Sequence, residues 1–367
     1  QQGILQELIA KGARLAKPGE FTQRAFLNGK MDLSQAEAVA DLIASNSAAA
    51  HRMALTQMRG GFSSELSKLR TQLLDFASLI ELELDFSEED VEFADRTQLK
   101  DLARNVESVI RRLAESFKYG NALKNGIPVA LVGETNVGKS TLLNVLLNDD
   151  KAIVSDVHGT TRDVIEDSVV VNGVEFRFID TAGIRNTTDT VEKLGIERTF
   201  KKIEQAAIVL WLVDGTQATE HIEWLTERIT KLAAGKIILV FNKTDKISDE
   251  ELEILNQLFE QFEAERVYIS AKKKQNIEVL ENALLKAAQL PEINQSDVIV
   301  SNIRHYEALE KAHAAIERVM DGLESGLTND LVALDIRDCM SHLGEITGQI
   351  SNDEILGNIF GKFCIGK

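Results

Sequence analysis

Cysteine is nearly absent from this sequence: Cys339 and Cys364 are the only two among 367 residues. Two thiols make no disulfide framework, so a stapled secreted scaffold is excluded and a reducing, cytoplasmic location is expected. Long apolar runs are missing as well. The longest, Ala206 to Val213, is far shorter than the ~20 residues a membrane helix needs, so no membrane partner is expected. No basic segment followed by an apolar stretch opens the chain, and no secretory leader is expected. Positive charge is in short supply: 41 Lys and Arg against 58 Asp and Glu leave a net charge of −17. Nucleic-acid phosphate repels such a chain on average, so an RNA partner must meet a local basic patch or arrive through another protein. Internal repeats and low-complexity segments are absent too.

What is present, 44% hydrophobic and 27% charged residues, suits a globular chain with real cores, of roughly two to three domains by length. Three blocks follow one another. Up to about residue 122 the pattern is helical. Ser34 and Glu37 have capping-box spacing ahead of an Ala-rich helix. Phe62, Leu66, Leu69, Leu73, Phe76 and Ile80 recur at helical intervals, as do Leu99, Leu102, Val106, Val109, Leu113 and Phe117, and both stripes are expected to face a core. Between them, Glu81 to Asp95 holds eight acids and no base, which reads as a solvated turn between helices.

From Ile127 to about Leu290, short apolar strands alternate with helical stretches. The strands are expected at Val129–Val132, Val169–Val171, Phe176–Ile179, Ile208–Val213, Ile237–Phe241 and Val267–Ile269. Such alternation predicts a mainly parallel sheet, and Asn172-Gly173 adds one hairpin, hence one antiparallel pair. From about Val298 the chain is helical again: Ile303, Leu309 and Ile316 are expected on one stripe, and Leu331, Leu334, Cys339 and Leu343 on a further helix. The fold class expected is therefore an α/β P-loop domain with a six-stranded sheet, inserted into an all-α helical-bundle domain. The expected boundaries are a leading segment 1–30, helical halves at 31–122 and 293–367, and the α/β domain at 123–292.

"GETNVGKST" places Gly133 and Gly138-Lys139-Ser140-Thr141 between a strand and an apolar helix, the context that a P-loop requires. Backbone N–H groups from Asn136 to Thr141, Val137 included, would cradle phosphates at the helix N-terminus. Lys139 would reach the terminal phosphates, and the Ser140 hydroxyl would bind Mg2+. The base is read further on. Asn242-Lys243-Thr244-Asp245 follows one strand and Ser270-Ala271-Lys272 the next. A carboxylate at Asp245 accepts from the two N–H donors on guanine's edge, and would face adenine wrongly. "DTAG", Asp180-Thr181-Ala182-Gly183, puts a carboxylate in the Mg2+ shell and an amide near the γ phosphate. "HGTTRD" offers Thr161 to complete Mg2+ coordination. GTP is thus the expected nucleotide.

The residue after Gly183 is Ile184, where Ras-like GTPases place a water-orienting glutamine. Three groups are candidates for the missing function: Arg185, Arg162 and Glu192. On the residues alone, a solvated acid at a helix start is the simpler reading of Glu192. At the other end, "FGKFCIGK" raises the question of Cys364. It lacks the C-a-a-X form of a lipid anchor, and Cys339 is the one other cysteine it could pair with. A second capping box, Ser351 and Glu354, starts a helix whose apolar face is Ile355, Leu356, Ile359, Phe360 and Phe363. Packing would then set the position of Cys364 while leaving the thiol free.

These strings, with "RLAKPGEFTQRAFLNGKMDLSQAEAVADLI", "GTTRDV", "DTAGIR", "VEKLGIERT", "NIRHYEAL", "LGEITG" and the terminal "FCIGK", resemble the MnmE (TrmE) family of tRNA-modification GTPases nearly end to end. The family's N-terminal folate-binding domain is represented only by its last stretch, residues 1–30. The resemblance implies a homodimer whose G domains pair in a K+-dependent manner. By the same resemblance, Asn136, Ser155, Thr160 and the carbonyl of Val157 would contact K+, and Glu192 would be the catalytic glutamate, reversing the simpler reading. It further implies an FAD-dependent MnmG-like partner, a one-carbon tetrahydrofolate, and an aminomethyl-type modification of the tRNA wobble uridine, with much of the tRNA contact made by the partner. Cys364 would serve that modification and not GTP hydrolysis, and Lys30 and Lys367 would be folate-contact candidates. The alternative, an Era-like ribosome-assembly GTPase or RNA-binding switch, would be expected to carry a KH-type module, but the sequence has no GXXG loop between predicted helices and no basic stripe.

Overall fold

The computed structural model describes residues 2–85, 96–134, 136–148, 167–179, 203–216, 236–260, 262–290 and 297–349. The chain divides into two compact units: Gln1–Ser45, Ala50–Lys124 and Ile293–Lys367 form the first, Asn46–Ala49 and Asn125–Glu292 the second. The first is all helical, with α1 (Gln2–Ala10), α2 (Glu20–Leu27), α3 (Leu33–Ala44), α4 (Ala48–Met58), α5 (Gly61–Asp85) and α6 (Arg96–Asn125) early in sequence. The helices Ile303–Ser325 and Asn329–Thr347, numbered α10 and α11, come late. No described helix is long and apolar enough to cross a membrane.

Its core is built from the stripes that the sequence shows. Phe62, Leu66, Leu69, Leu73, Phe76 and Ile80 of α5 are buried together with Leu99, Val106 and Leu113 of α6; Leu102, Val109 and Phe117 pack at the margin. Each large side chain so buried contributes about 1.5–3 kcal/mol relative to an exposed one. Leu309 and Ile316 of α10 and Cys339 and Leu343 of α11 join the same core. Ile303, expected on the stripe of Leu309 and Ile316, does not and is 55% exposed; Leu331 and Leu334 lie on α11 as expected, 46% and 61% exposed. Helical geometry explains the difference. At about 100° per residue, Ile303 lies over 100° away from the Leu309–Ile316 stripe, and Leu334 lies about 140° from Cys339 and on the side of α11 opposite Leu343. Burial pushes the Cys339 thiol up to about 12, so it behaves as a packed apolar group and not as a nucleophile.

The expected Ser34–Glu37 capping box is not formed. Asp32 is the N-cap of α3: its carboxylate accepts from Gln35 N, and the Gln35 side chain returns to Asp32 N at 2.9 Å. Asp32 wins because it lies one residue before the helix, while Ser34 already has helical backbone and donates to Asp32 Oδ1 at 2.8 Å. The acid-rich segment is likewise only partly between helices, since α5 continues to Asp85. The Ser351–Glu354 box lies outside the described residues.

The second unit holds a six-stranded sheet in the order β2-β3-β1-β4-β5-β6. The strands are β1 (Ile127–Gly133), β2 (Asp167–Val171), β3 (Val174–Phe178), β4 (Ile208–Asp214), β5 (Lys236–Asn242) and β6 (Glu265–Tyr268). Among the described strands, only β2 and β3 pair antiparallel. Their turn, with Asn172 at φ 48 and Gly173 at φ 82, has the left-handed pair that a two-residue hairpin needs. The described helices of this unit are α7 (Lys139–Asn148), α8 (Asp249–Leu258) and α9 (Ile277–Ala288). Trp211 of β4 and Phe241 of β5 meet Phe259, which follows α8, in edge-to-face contacts at 5.7 and 5.4 Å. Because β1, β4, β5 and β6 run parallel, their carboxyl ends gather at one edge of the sheet, where such folds place their ligands.

Candidate functional site

At that edge β1 ends in Gly133, and a short loop leads to Lys139 at the start of α7. Two glycines make the loop sterically possible. A Cβ on Gly133 would lie 2.4 Å from the carbonyl oxygen of Leu212, and one on Gly138 2.2 Å from Nδ2 of Asn242. Asn136 holds a left-handed conformation at φ 61, which asparagine tolerates better than most residues. Lys139 folds over the loop and donates to the carbonyls of Gly133 at 2.7 Å and Glu134 at 2.5 Å. Val137, Leu142 and Leu143 are buried and fix the loop and helix to the sheet, while Asn136, Ser140 and Thr141 face solvent. A helix start that carries backbone amides, a lysine and a hydroxyl could hold a phosphate, with the hydroxyl as a hard oxygen ligand for a divalent cation.

Asn242 ties the loops together. Buried at the end of β5, it donates from Nδ2 to the carbonyl of Val137 at 2.8 Å and accepts from the Ala271 amide at 3.0 Å through Oδ1. One amide side chain thereby joins the phosphate loop, the NKTD segment and the SAK segment. Asp245 is exposed, and the Ser270 hydroxyl donates to it at 2.6 Å. That hydrogen bond, more than anything else, holds its carboxyl below the usual carboxylate range, so it stays an acceptor across the physiological range. Ser270 is buried and Lys272 exposed, and a Ser270–Gln275 bridge closes the loop between them.

The structure thus brings together Asn136, Val137, Gly138, Lys139, Ser140, Thr141, Asn242, Lys243, Asp245, Ser270, Ala271 and Lys272 at one end of the sheet. Lys30, in the helical unit, is exposed just after α2. Ser155, Val157, Thr160, Thr161, Arg162, Asp180, Thr181, Ala182, Gly183, Arg185, Glu192, Cys364 and Lys367 lie outside the described residues. Among the described residues no group of three or more His, Cys, Asp or Glu could hold a metal ion. Sequence reasoning missed Asp214, whose carboxylate meets Lys243 at the end of β4. Its signal was the one that marked Asn242: a polar residue closing an apolar strand at the carboxyl edge.

Sheet, P-loop and base-selecting segments together define a P-loop GTPase. A family profile described as the MnmE helical domain matches residues 33–364, and one described as the GTP-binding protein TrmE N-terminus matches residues 1–30. The proteins named tRNA modification GTPase MnmE from Bacteroides thetaiotaomicron and Flavobacterium johnsoniae are 60% identical to this chain over 370 residues and 55% over 371. The alignments cover 100% of this chain and 80% of each relative. The chain belongs to the MnmE family of tRNA modification GTPases. A crystal structure of an Aquifex aeolicus Era variant bound to GDP and AlF4− aligns at 30% identity over 51% of this chain and 66% of that one, with a TM-score of 0.35.

Proposed function

We propose that this chain hydrolyses GTP in a K+-dependent manner as part of the modification of the tRNA wobble uridine. The observation that carries the reading is the placement of Asn242. It fixes the phosphate loop and the guanine-selecting carboxylate in one frame, so affinity and base choice come from a single rigid edge.

The chemistry asks for positioning and charge neutralisation more than for a covalent step. In this reading Lys139 turns from the Gly133 and Glu134 carbonyls to the β and γ phosphates, and amides from Asn136 to Thr141 bind the remaining oxygens. The donors suit hard cations: the Ser140 and Thr161 hydroxyls for Mg2+, with Asp180 in its outer shell, and Asn136, Ser155, Thr160 and the Val157 carbonyl for K+. When bound, the two cations supply the positive charge that an arginine finger gives elsewhere. Thr181, Ala182 and Gly183 hold the γ phosphate, Glu192 orients the attacking water in place of a glutamine, and Arg162 and Arg185 lie in the neighbouring segments.

Family membership supports the wider assignment. It comprises an FAD-dependent MnmG-like partner, a homodimer with paired G domains, a one-carbon tetrahydrofolate met by Lys30 and Lys367, tRNA shared with the partner, and a cytoplasmic location. Cys364 acts in the modification. GTP turnover by the dimer is expected to be markedly faster in K+ than in Na+, and Glu192→Ala is expected to lower it about a hundredfold with GTP still bound. Equal rates in the two salts would sink the hydrolytic mechanism. Cys364→Ser is expected to leave turnover within twofold of the parent while wobble modification is lost in cells. A large fall in GTP turnover would disprove that separation of roles.

A further inference from the structure

We propose that Asp214 is a positioning residue that holds Lys243 of the NKTD segment in place, and through it sets the affinity for the guanine nucleotide. The inference rests on the reading of this edge as a GTP site. Asp214 ends β4 and stands opposite Asn242 in the β4–β5 register. Its Oδ2 accepts from Lys243 Nζ at 2.5 Å. Its Oδ1 accepts twice from Thr216, at 3.0 Å from the amide and 2.7 Å from the hydroxyl. Both oxygens are therefore committed, and the carboxylate cannot turn without giving up one of these donors.

The turn itself is docked against the NKTD segment. Between Asp214 and Thr216, Gly215 donates its N–H to the Asn242 carbonyl at 2.9 Å. A Cβ there would lie 3.0 Å from that carbonyl oxygen and 3.1 Å from Cδ1 of Ile247. The ion pair is also shielded, with the Asp214 side chain 14% exposed and that of Lys243 29%. Burial alone would push the Asp214 carboxyl up. The donors from Lys243 and Thr216 outweigh it and hold the group below its ordinary range, so it is an anion facing a cation.

Lys243 needs such a hold. Its backbone is left-handed at φ 66, where it opens the short 3-10 turn Thr244–Lys246 that carries Asp245. With the ammonium fixed at the end of β4, the phosphates are left to Lys139, and what Lys243 offers the nucleotide is its four-carbon stem. A loose Lys243 would cost binding twice, through the stem and through the turn that presents Asp245.

The test is a double-mutant cycle read by titration of a fluorescent GDP analogue into the full chain. Asp214→Ala and Lys243→Ala are each expected to weaken binding roughly tenfold, and the double variant no more than Lys243→Ala alone. Asp214→Asn, which keeps the Thr216 turn but not the charge, is expected to fall between, and it takes the place of Asp214→Ala should that variant not fold. Independent, additive losses would overturn the proposal, because a carboxylate that only shapes its own turn does not act through Lys243. So would binding within twofold of the parent for Asp214→Ala while Lys243→Ala is weakened. If Lys243→Ala itself binds as the parent does, the reading of Lys243 as a nucleotide contact fails first, and this proposal with it.

Discussion

Gly138→Ala is expected to lower GTP turnover about a thousandfold or more while leaving the secondary structure intact. Two costs meet at this residue. Its φ of 105 is a conformation that L side chains rarely adopt, and the added methyl would sit 2.2 Å from Nδ2 of Asn242. Strain alone is tolerable. Gly326, which ends α10 at φ 72 with nothing within 4 Å, pays only the left-handed penalty, and Gly326→Ala is expected to cost about 1 kcal/mol of stability and no activity. At Gly138 the obstacle is the side chain that links three loops. To admit the methyl, Asn242 must release the Val137 carbonyl at 2.8 Å or the Ala271 amide at 3.0 Å, both buried. Either release moves the phosphate cradle relative to Asp245. Titration of a fluorescent GDP analogue, with circular dichroism as the check on folding, reads the two effects apart. Near-parental binding by Gly138→Ala would mean that Asn242 does not set the geometry of the site.

The centre of the sheet was readable from sequence because β1, β4 and β5 are short apolar runs closed by a polar or glycine residue. Val129–Val132 before Gly133, Ile208–Val213 before Asp214 and Ile237–Phe241 before Asn242 all became strands at the expected places. The core stripes of α5 and α6 were readable for the same reason: their period persists over several turns and leaves no second phase. Periodicity failed where few residues carried it. Ile303 is apolar but out of phase, and apolar character says nothing of phase. The candidate nucleotide residues were picked out by order and spacing along the chain, and the gathering of the described ones at one edge follows from parallel strands. What links them was not. That Asn242 spans two loops, or that Asp214 holds Lys243, depends on strands that the sequence separates by many residues, and no local pattern encodes a partner. Glu37 shows the same limit. Its spacing from Ser34 suggested a cap, whereas its true partners lie at the far end of the chain.

Those partners support the second large expectation: Arg304→Met is expected to destabilise the helical unit by about 3–5 kcal/mol. Glu37 of α3, with a side chain 8% exposed, receives Arg304 through two parallel bonds, Nε to Oε1 at 2.9 Å and a terminal nitrogen to Oε2 at 2.8 Å. His305, fully buried, meets the same Oε2 at 2.5 Å. Arg304 also donates to the carbonyls of Glu345 and Ile346 in the last turn of α11, at 2.7 and 3.0 Å. One guanidinium therefore joins α3 to α10 and α11, across the whole of the inserted unit in sequence. Removing it leaves the buried carboxylate with His305 in place of both partners and takes a donor from two helix-end carbonyls, whereas Glu37→Met with Arg304→Met removes both charges and is expected to recover part of the loss. The pH dependence has a definite sign. Burial works to raise the Glu37 carboxyl, but His305 and Arg304 outweigh it and hold it at about 2, below the ordinary carboxylate value of 4.5. A depressed carboxylate stabilises the fold fully above the unfolded value, and that stability is lost as pH falls from about 4.5 toward 2. Glu37→Gln should flatten this acid limb. Amide hydrogen exchange in α3, α10 and α11 reads the helical unit by itself. A loss below 1 kcal/mol in Arg304→Met, or an unchanged acid limb in Glu37→Gln, would show that the helices hold without this network.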